Sequence, residues 1–91
     1  MKADPNQVRR LVQTARGQVE AVSKMIDEDR YCIDIINQIL AAESLLRKAR
    51  MCVLEGHIQG CVASAIEAGD AQEREEKLKE VVELLGRMNK Q

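Results

Sequence analysis

One histidine and three cysteines are the strongest metal-binding and nucleophilic side chains in this 91-residue sequence. His57 and Cys61 stand four residues apart. On a helix that spacing puts an imidazole and a thiol on one face, about 6 Å apart at Cβ. Taken singly, each has an ordinary alternative: a partly exposed structural histidine, and a small thiol packed as a hydrophobe. As a pair they need a third donor to hold a metal. Cys52 is nine residues from Cys61, about 13 Å along a helix axis, so it cannot reach the same site from the same helix. A packed thiol describes it. Cys32 is twenty-nine residues from Cys61, about 43 Å along a continuous helix. Within one chain those donors do not meet. Two copies of the helix packed antiparallel, crossing near Leu45-Leu46, bring Cys32 of one protomer to His57 and Cys61 of its partner. That arrangement makes two identical sites across an isologous dimer.

Two thiolates and one imidazole form a soft, three-donor set. It suits Cu(I), which accepts trigonal coordination, whereas structural Zn(II) takes a fourth ligand. Tyr31, beside Cys32, and Glu73 or Glu76 further along are candidates to orient the imidazole. Their alternatives are a packing residue at a helix start and a solvated acidic face. No nucleophile, oxyanion hole or substrate pocket accompanies the lone histidine, so the chain reads as a binding protein rather than an enzyme.

The elements that must position these residues are helical. Asp4-Pro5 reads as an N-cap followed by proline at the first helical position. Val8, Val12, Ala15, Val19, Val22 and Ile26 follow at alternating intervals of four and three, a heptad seam, which predicts a first helix over about 6–28. The charged stretch Asp27–Arg30 interrupts it. A second helix is expected over about 32–67, with an apolar stripe too wide for one partner. Gly56 and Gly60 each cost it about 1 kcal/mol relative to alanine and mark either close packing or a bend. Gly69 and Asp70 supply a C-cap and the next N-cap, and a third helix is expected over about 71–88. The expected fold is all-α: a single domain, 1–91, of three helices with an unusually long central one.

Composition points the same way. There is one aromatic residue, Tyr31, and no Phe or Trp, so a core must come from aliphatic side chains. A chain this short has a marginal core when alone, which predicts an oligomer. Hydrophobic residues at 45% and charged residues at 32% exclude a disordered tail. No apolar run spans a bilayer and no secretory h-region follows Met1, so a soluble, cytoplasmic protein without a membrane partner is expected. Net charge is −1, yet the first fifty residues carry nine basic and seven acidic side chains and the remainder five and eight. That asymmetry is weak support for an anionic partner.

The segments Arg16-Gly17-Gln18-Val19, Met25-Ile26, Tyr31-Cys32-Ile33-Asp34-Ile35, Gln38-Ile39 and Gly56-His57-Ile58-Gln59-Gly60-Cys61-Val62 resemble the CsoR family of copper-sensing repressors, over roughly residues 8–87. The resemblance implies an antiparallel all-α homodimer, paired again into a tetramer, that binds operator DNA when metal-free. It implies release by Cu(I) bound between protomers and derepression of copper efflux genes. Cys32, His57 and Cys61 match the family's three ligands. Nickel- and cobalt-sensing relatives carry a histidine near the N-terminus and another in place of Cys61. Formaldehyde sensors have proline directly after the initiator methionine, where this chain has Lys2. Persulfide sensors lack the histidine. The retained His57 favours copper, with a thiol- or persulfide-sensing repressor, or a copper-buffering protein without DNA binding, as the alternatives.

The family often carries arginines where this chain has Leu11, Gln13 and Thr14. Here Arg9, Arg10 and Arg16, with Arg47, Lys48 and Arg50 on the second helix, are the candidates for DNA contact, and Lys48 matches a basic family position. A solvated surface role is the alternative for each. With no helix-turn-helix, zinc finger or aromatic platform, the contacts would be electrostatic and salt-sensitive.

Overall fold

The computed structural model describes residues 1–90. Helix α1 spans Pro5–Asp27 and starts where local chemistry requires it to. The Asp4 carboxylate accepts from the Asn6 backbone N–H at 2.9 Å, and Pro5 lacks the donor that a first-turn residue cannot use. Its other end closes in a Schellman arrangement. Arg30 N–H donates to Met25 O at 3.0 Å and Asp29 N–H to Ile26 O at 3.1 Å, with Asp29 left-handed at φ 52°. An aspartate tolerates that conformation better than most residues.

The reversal sends α2 (Cys32–His57) back along α1 as a helical hairpin. Without a break, a π-helical turn (Ile58–Val62) and α3 (Ala63–Glu67) continue it. Together they form one rod, about 54 Å long at 1.5 Å per residue, which matches the molecule's 58 Å longest dimension. The rod ends at Gly69, left-handed at φ 75°, a conformation that glycine adopts without strain. Asp70 then caps α4 (Ala71–Met88), accepting from Gln72 N–H at 3.0 Å and Glu73 N–H at 3.2 Å. Among the described residues the architecture is all-helical: two long elements and a C-terminal helix, with no strand.

Packing within the chain departs from the expected seam. The residues of α1 turned toward α2 are Leu11, Ala15, Gln18, Val22 and Met25, whereas Val12, Val19 and Ile26 stay exposed. The physical reason is Gln18. Gln38 Nε2 of α2 donates to its Oε1 and also approaches its backbone carbonyl at 3.5 Å, so a polar pair occupies the middle of the hairpin. A purely apolar pattern cannot reveal that register. On α4, Val81, Leu84 and Met88 are half-buried, while Leu78, Val82 and Leu85 form a second, exposed stripe.

The buried set is small: Ala3, Ala15, Ala42, Ala49, Leu54, Val62 and Ala65, five of the seven being alanines. The molecule is only 13 Å thick and its radius of gyration is 17.6 Å. A compact chain of this length has about 12 Å. The chain is a single layer of helices with most of its large aliphatic side chains uncovered.

Candidate metal centre

Cys32 is the first residue of α2 and is exposed, directly after Tyr31, which holds the N-cap position. The Tyr31 ring is also exposed, and its backbone carbonyl accepts from Ile35 N–H at 3.2 Å. His57 is the last residue of α2 and Cys61 lies in the π-helical turn; both are half-buried. The turn is a departure from the expected uninterrupted α-helix. Its Ala63 N–H reaches Ile58 O, the wider i→i+5 pattern, and such turns gather at functional positions. Cys32, Cys52 and Cys61 are all free thiols.

Cys32 therefore opens the rod and the His57/Cys61 pair sits at its far end. Among the described residues of one chain, no group of three His, Cys, Asp or Glu side chains could hold a metal. The faces on which the residues sit are more informative. Cys32, Ile36, Ile39, Leu46 and His57 recur at intervals of four, three, seven and eleven residues. Those intervals define one helical face. Gln38, Ala42, Leu45 and Ala49 form the adjoining face, about 100° round the helix at 3.6 residues per turn, and Gln38 meets Gln18 of α1 there. The first and last members of the outward face are thus candidate ligands, and the apolar members between them, Ile36, Ile39 and Leu46, are exposed in the protomer.

His57 lines two adjoining cavities between α2 and α4. One of about 380 Å³ is formed with Arg50, Val53, Leu54 and Leu84. The other, about 270 Å³, is formed with Glu80, Val81, Leu84 and Arg87. Glu80 is the carboxylate the structure brings beside the histidine, and sequence reasoning missed it. Its signal was present: Val81 and Leu84 carry Glu80 on the adjacent turn of the half-buried face. Glu73 and Glu76 line neither cavity. Glu73 contributes its backbone N–H to the Asp70 cap, and the Glu76 carboxylate accepts from Gln72 Nε2 at 3.5 Å.

The basic residues fall into a pattern too. Because α1 and α2 are antiparallel, the start of α1 lies beside the second half of α2. Gln7 and Leu11 share a groove with Arg47, Lys48, Met51, Cys52 and Glu55. Arg9 and Arg10 are on the same turns of α1, so the hairpin gathers Arg9, Arg10, Arg47 and Lys48 at one end. Arg9 Nη1 donates to Asn6 Oδ1 at 3.2 Å. Arg16 lies further along and pairs with Glu20 at 3.5 Å, both side chains well exposed. Cys52 is half-buried in the same groove.

These features define a thin, all-helical protein with ligand-type residues toward both ends of an uncovered face and a basic cluster at the open end of its hairpin. The sequence pattern of metal-sensitive transcriptional repressors matches residues 4–87. The chain is 33% identical over 78 residues to the copper-sensing transcriptional repressor CsoR of Bacillus subtilis, which covers 86% of this chain and 77% of that relative. It is 41% identical over 64 residues to the copper-sensing transcriptional repressor RicR of Mycobacterium tuberculosis, covering 70% of this chain and 66% of RicR. The crystal structure of the copper-sensing repressor CsoR with Cu(I) from Geobacillus thermodenitrificans matches with a TM-score of 0.76 and 36% identity, over 89% of this chain and 84% of that one. The chain belongs to the metal-sensitive transcriptional repressor family. Membership makes it a DNA-binding regulator rather than an enzyme. No helix among the described residues is long and apolar enough to cross a membrane.

Proposed function

We propose that this protein is a Cu(I)-responsive repressor that works in the cytoplasm as an antiparallel homodimer, paired again into a tetramer. Cys32 of one protomer, with His57 and Cys61 of its partner, would hold the metal. The observation that carries this reading is the common face of Cys32 and His57 with the uncovered Ile36–Ile39–Leu46 stripe between them. Antiparallel pairing of that stripe covers apolar surface the protomer leaves in water and, by the same motion, closes a three-donor set that one chain does not assemble. The donors fit the metal: two free thiols and one imidazole are soft ligands, three in number. Bound there, Cu(I) supplies a bond between protomers.

The rest belongs to the chain's own residues. Glu80, beside His57 across the α2–α4 cavity, is placed to orient the imidazole, with Tyr31 next to Cys32 on the other side of the pairing. Glu73 and Glu76 lie two turns and one turn before Glu80 on α4, outside the cavities that His57 lines. Arg9, Arg10, Arg47 and Lys48 at the open end of the hairpin, with Arg16 along α1, form the surface offered to operator phosphates, and assembly multiplies that cluster fourfold. Family resemblance and the copper-sensing function of the relatives support the same assignment.

The test pairs Cu(I) X-ray absorption with fluorescence anisotropy of a labelled operator fragment. The expected result is a shell of two sulfurs and one nitrogen, lost in Cys32→Ala, together with operator release on metal addition. Equal operator affinity with and without Cu(I) overturns the repressor mechanism. Release by persulfide in a His57→Ala variant, with no response to copper in the wild type, establishes the sulfur-sensing alternative instead.

A further inference from the structure

We propose that the first residues of the chain form a strap that links the metal-binding turns to the DNA-facing helix. This rests on the copper-sensing reading above and adds to it a physical route between the two sites.

Ala3 is only 9% exposed, although it lies in a short non-helical terminus between exposed residues. The cause is contact with α2. A Cβ built on Gly56 falls 2.6 Å from both Ala3 Cα and Ala3 N, and one on Gly60 falls 2.7 Å from Lys2 Cγ. The strap backbone therefore rests directly on the helix at Gly56, and the Lys2 stem rests on Gly60. By contrast, a Cβ on Gly17 or Gly86 meets nothing within 4 Å. Two glycines in a helix cost about 1 kcal/mol each; the close approach explains why this helix has them at those positions.

The seats matter because of their neighbours. Gly56 precedes His57 and Gly60 precedes Cys61, so the strap covers the face adjoining the one that carries two candidate ligands. It also crosses a junction, since Gly56 belongs to α2 and Gly60 to the π-helical turn. Any rewinding of that turn that moves Cys61 relative to His57 moves Gly60 relative to Gly56 by the same step. A segment seated on both must shift with it or leave.

At its other end the strap has no slack. One residue after Ala3, Asp4 caps α1, its carboxylate holding Asn6 N–H at 2.9 Å and its carbonyl accepting from Val8 N–H at 3.2 Å. Helix α1 then carries Arg9, Arg10 and Arg16. The strap is thus a short covalent tie between the turns that bear His57 and Cys61 and the helix that bears half of the basic cluster.

Four variants test this: Gly56→Ala, Gly60→Ala, Gly86→Ala and a chain lacking Lys2 and Ala3. Two readouts are taken: amide hydrogen exchange of Ile58–Val62 in the metal-free protein, and the ratio of operator Kd with Cu(I) to that without. Gly86→Ala raises helix propensity alone and is expected to match the wild type in both. Gly56→Ala, which the strap backbone cannot accommodate, and the strap deletion are each expected to speed exchange across the π-helical turn and to lower the Kd ratio at least about five-fold, the scale of an ordinary allosteric coupling. Gly60→Ala is expected to fall between, because the Lys2 side chain can swing aside. The strap is refuted if Gly56→Ala and the deletion both keep the wild-type exchange and ratio. A wild type whose operator binding ignores Cu(I) instead overturns the sensor reading itself, and with it the strap's role. If Gly56→Ala does not fold, the deletion, which leaves the helix sequence untouched, decides the matter alone.

Discussion

If the site closes across two protomers, as proposed, it makes a quantitative prediction about mixtures. Cys32→Ala removes one thiolate from every site, and His57→Ala/Cys61→Ala removes the other two donors. Each homodimer then has no complete site. In a heterodimer the defects separate: one site loses all three donors, and the other keeps the wild-type set, Cys32 from one protomer and His57 with Cys61 from its partner. Random exchange of equal amounts makes about half of the dimers mixed, each with one intact site out of two. Tight Cu(I) capacity is therefore expected to rise from near zero in either variant to about a quarter of wild type after subunit exchange. The geometry leaves no cis route to the same result, because Cys32 and Cys61 stand about 43 Å apart on one rod and no three-donor cluster exists in the described chain. Capacity is read by titration against a chromophoric Cu(I) chelator, with mixed-dimer formation verified by native mass spectrometry. No recovery in a verified mixture refutes the trans site. Tight binding by Cys32→Ala alone refutes the ligand set.

Three further outcomes follow from particular contacts. Leu46, 48% exposed at the centre of the outward face of α2, is replaced by glutamate in Leu46→Glu. Little intrachain packing is lost there, so helicity by circular dichroism is expected to persist while light scattering reports a smaller species; an unchanged mass removes this face from the interface. Asp70→Ala strips the cap that holds two backbone N–H groups of α4 and is expected to cost about 1 kcal/mol, read as a lower urea midpoint with an unchanged slope. Lys48→Ala is expected to weaken operator binding alike for all sequences and to reduce the slope of log K against log salt by about 1 per protomer that contacts phosphate; a change confined to one operator sequence would identify a base contact instead.

The helices were legible because their ends are written in local chemistry. Asp4-Pro5 and Gly69-Asp70 do in the structure what those residue types do elsewhere, and the candidate ligands at 32, 57 and 61 are visible to anyone counting along a helix. What was not legible has one physical origin: it depends on contacts between segments distant in sequence. Val12, Val19 and Ile26 complete a regular seam on paper. The Gln18–Gln38 pair nevertheless sets the hairpin register one residue away and leaves those three outside. Gly56 and Gly60 were open to either reading, close packing or a bend, and the structure shows close packing. Ala3 and Lys2 press on them, and the helix widens between them. Lys2-Ala3 has no periodicity, so nothing in the sequence marks it as a packed segment. Glu80 was overlooked in favour of Glu73 and Glu76 because the angle at which α4 returns along α2 decides which carboxylate meets His57, and a Gly-Asp turn does not specify that angle.

The thinness of the chain and the separation of Cys32 from His57 and Cys61 belong to one physical argument. A chain that completed its own core and its own metal site would register copper as a local event, with no reason for a distant basic cluster to respond. Here the donors lie at opposite ends of the face that pairing must cover, so on the proposed reading filling the site fixes the distance and twist between two α2 rods. The Arg and Lys residues ride on the same rods and on the α1 helices packed against them. Binding energy at the centre then becomes a constraint on the spacing of cationic side chains along a rigid phosphate backbone. Linkage makes the relation reciprocal: whatever factor copper takes from operator affinity, the operator takes from copper affinity. On that reading, a protomer this incomplete lets an ion be felt by a surface it never touches.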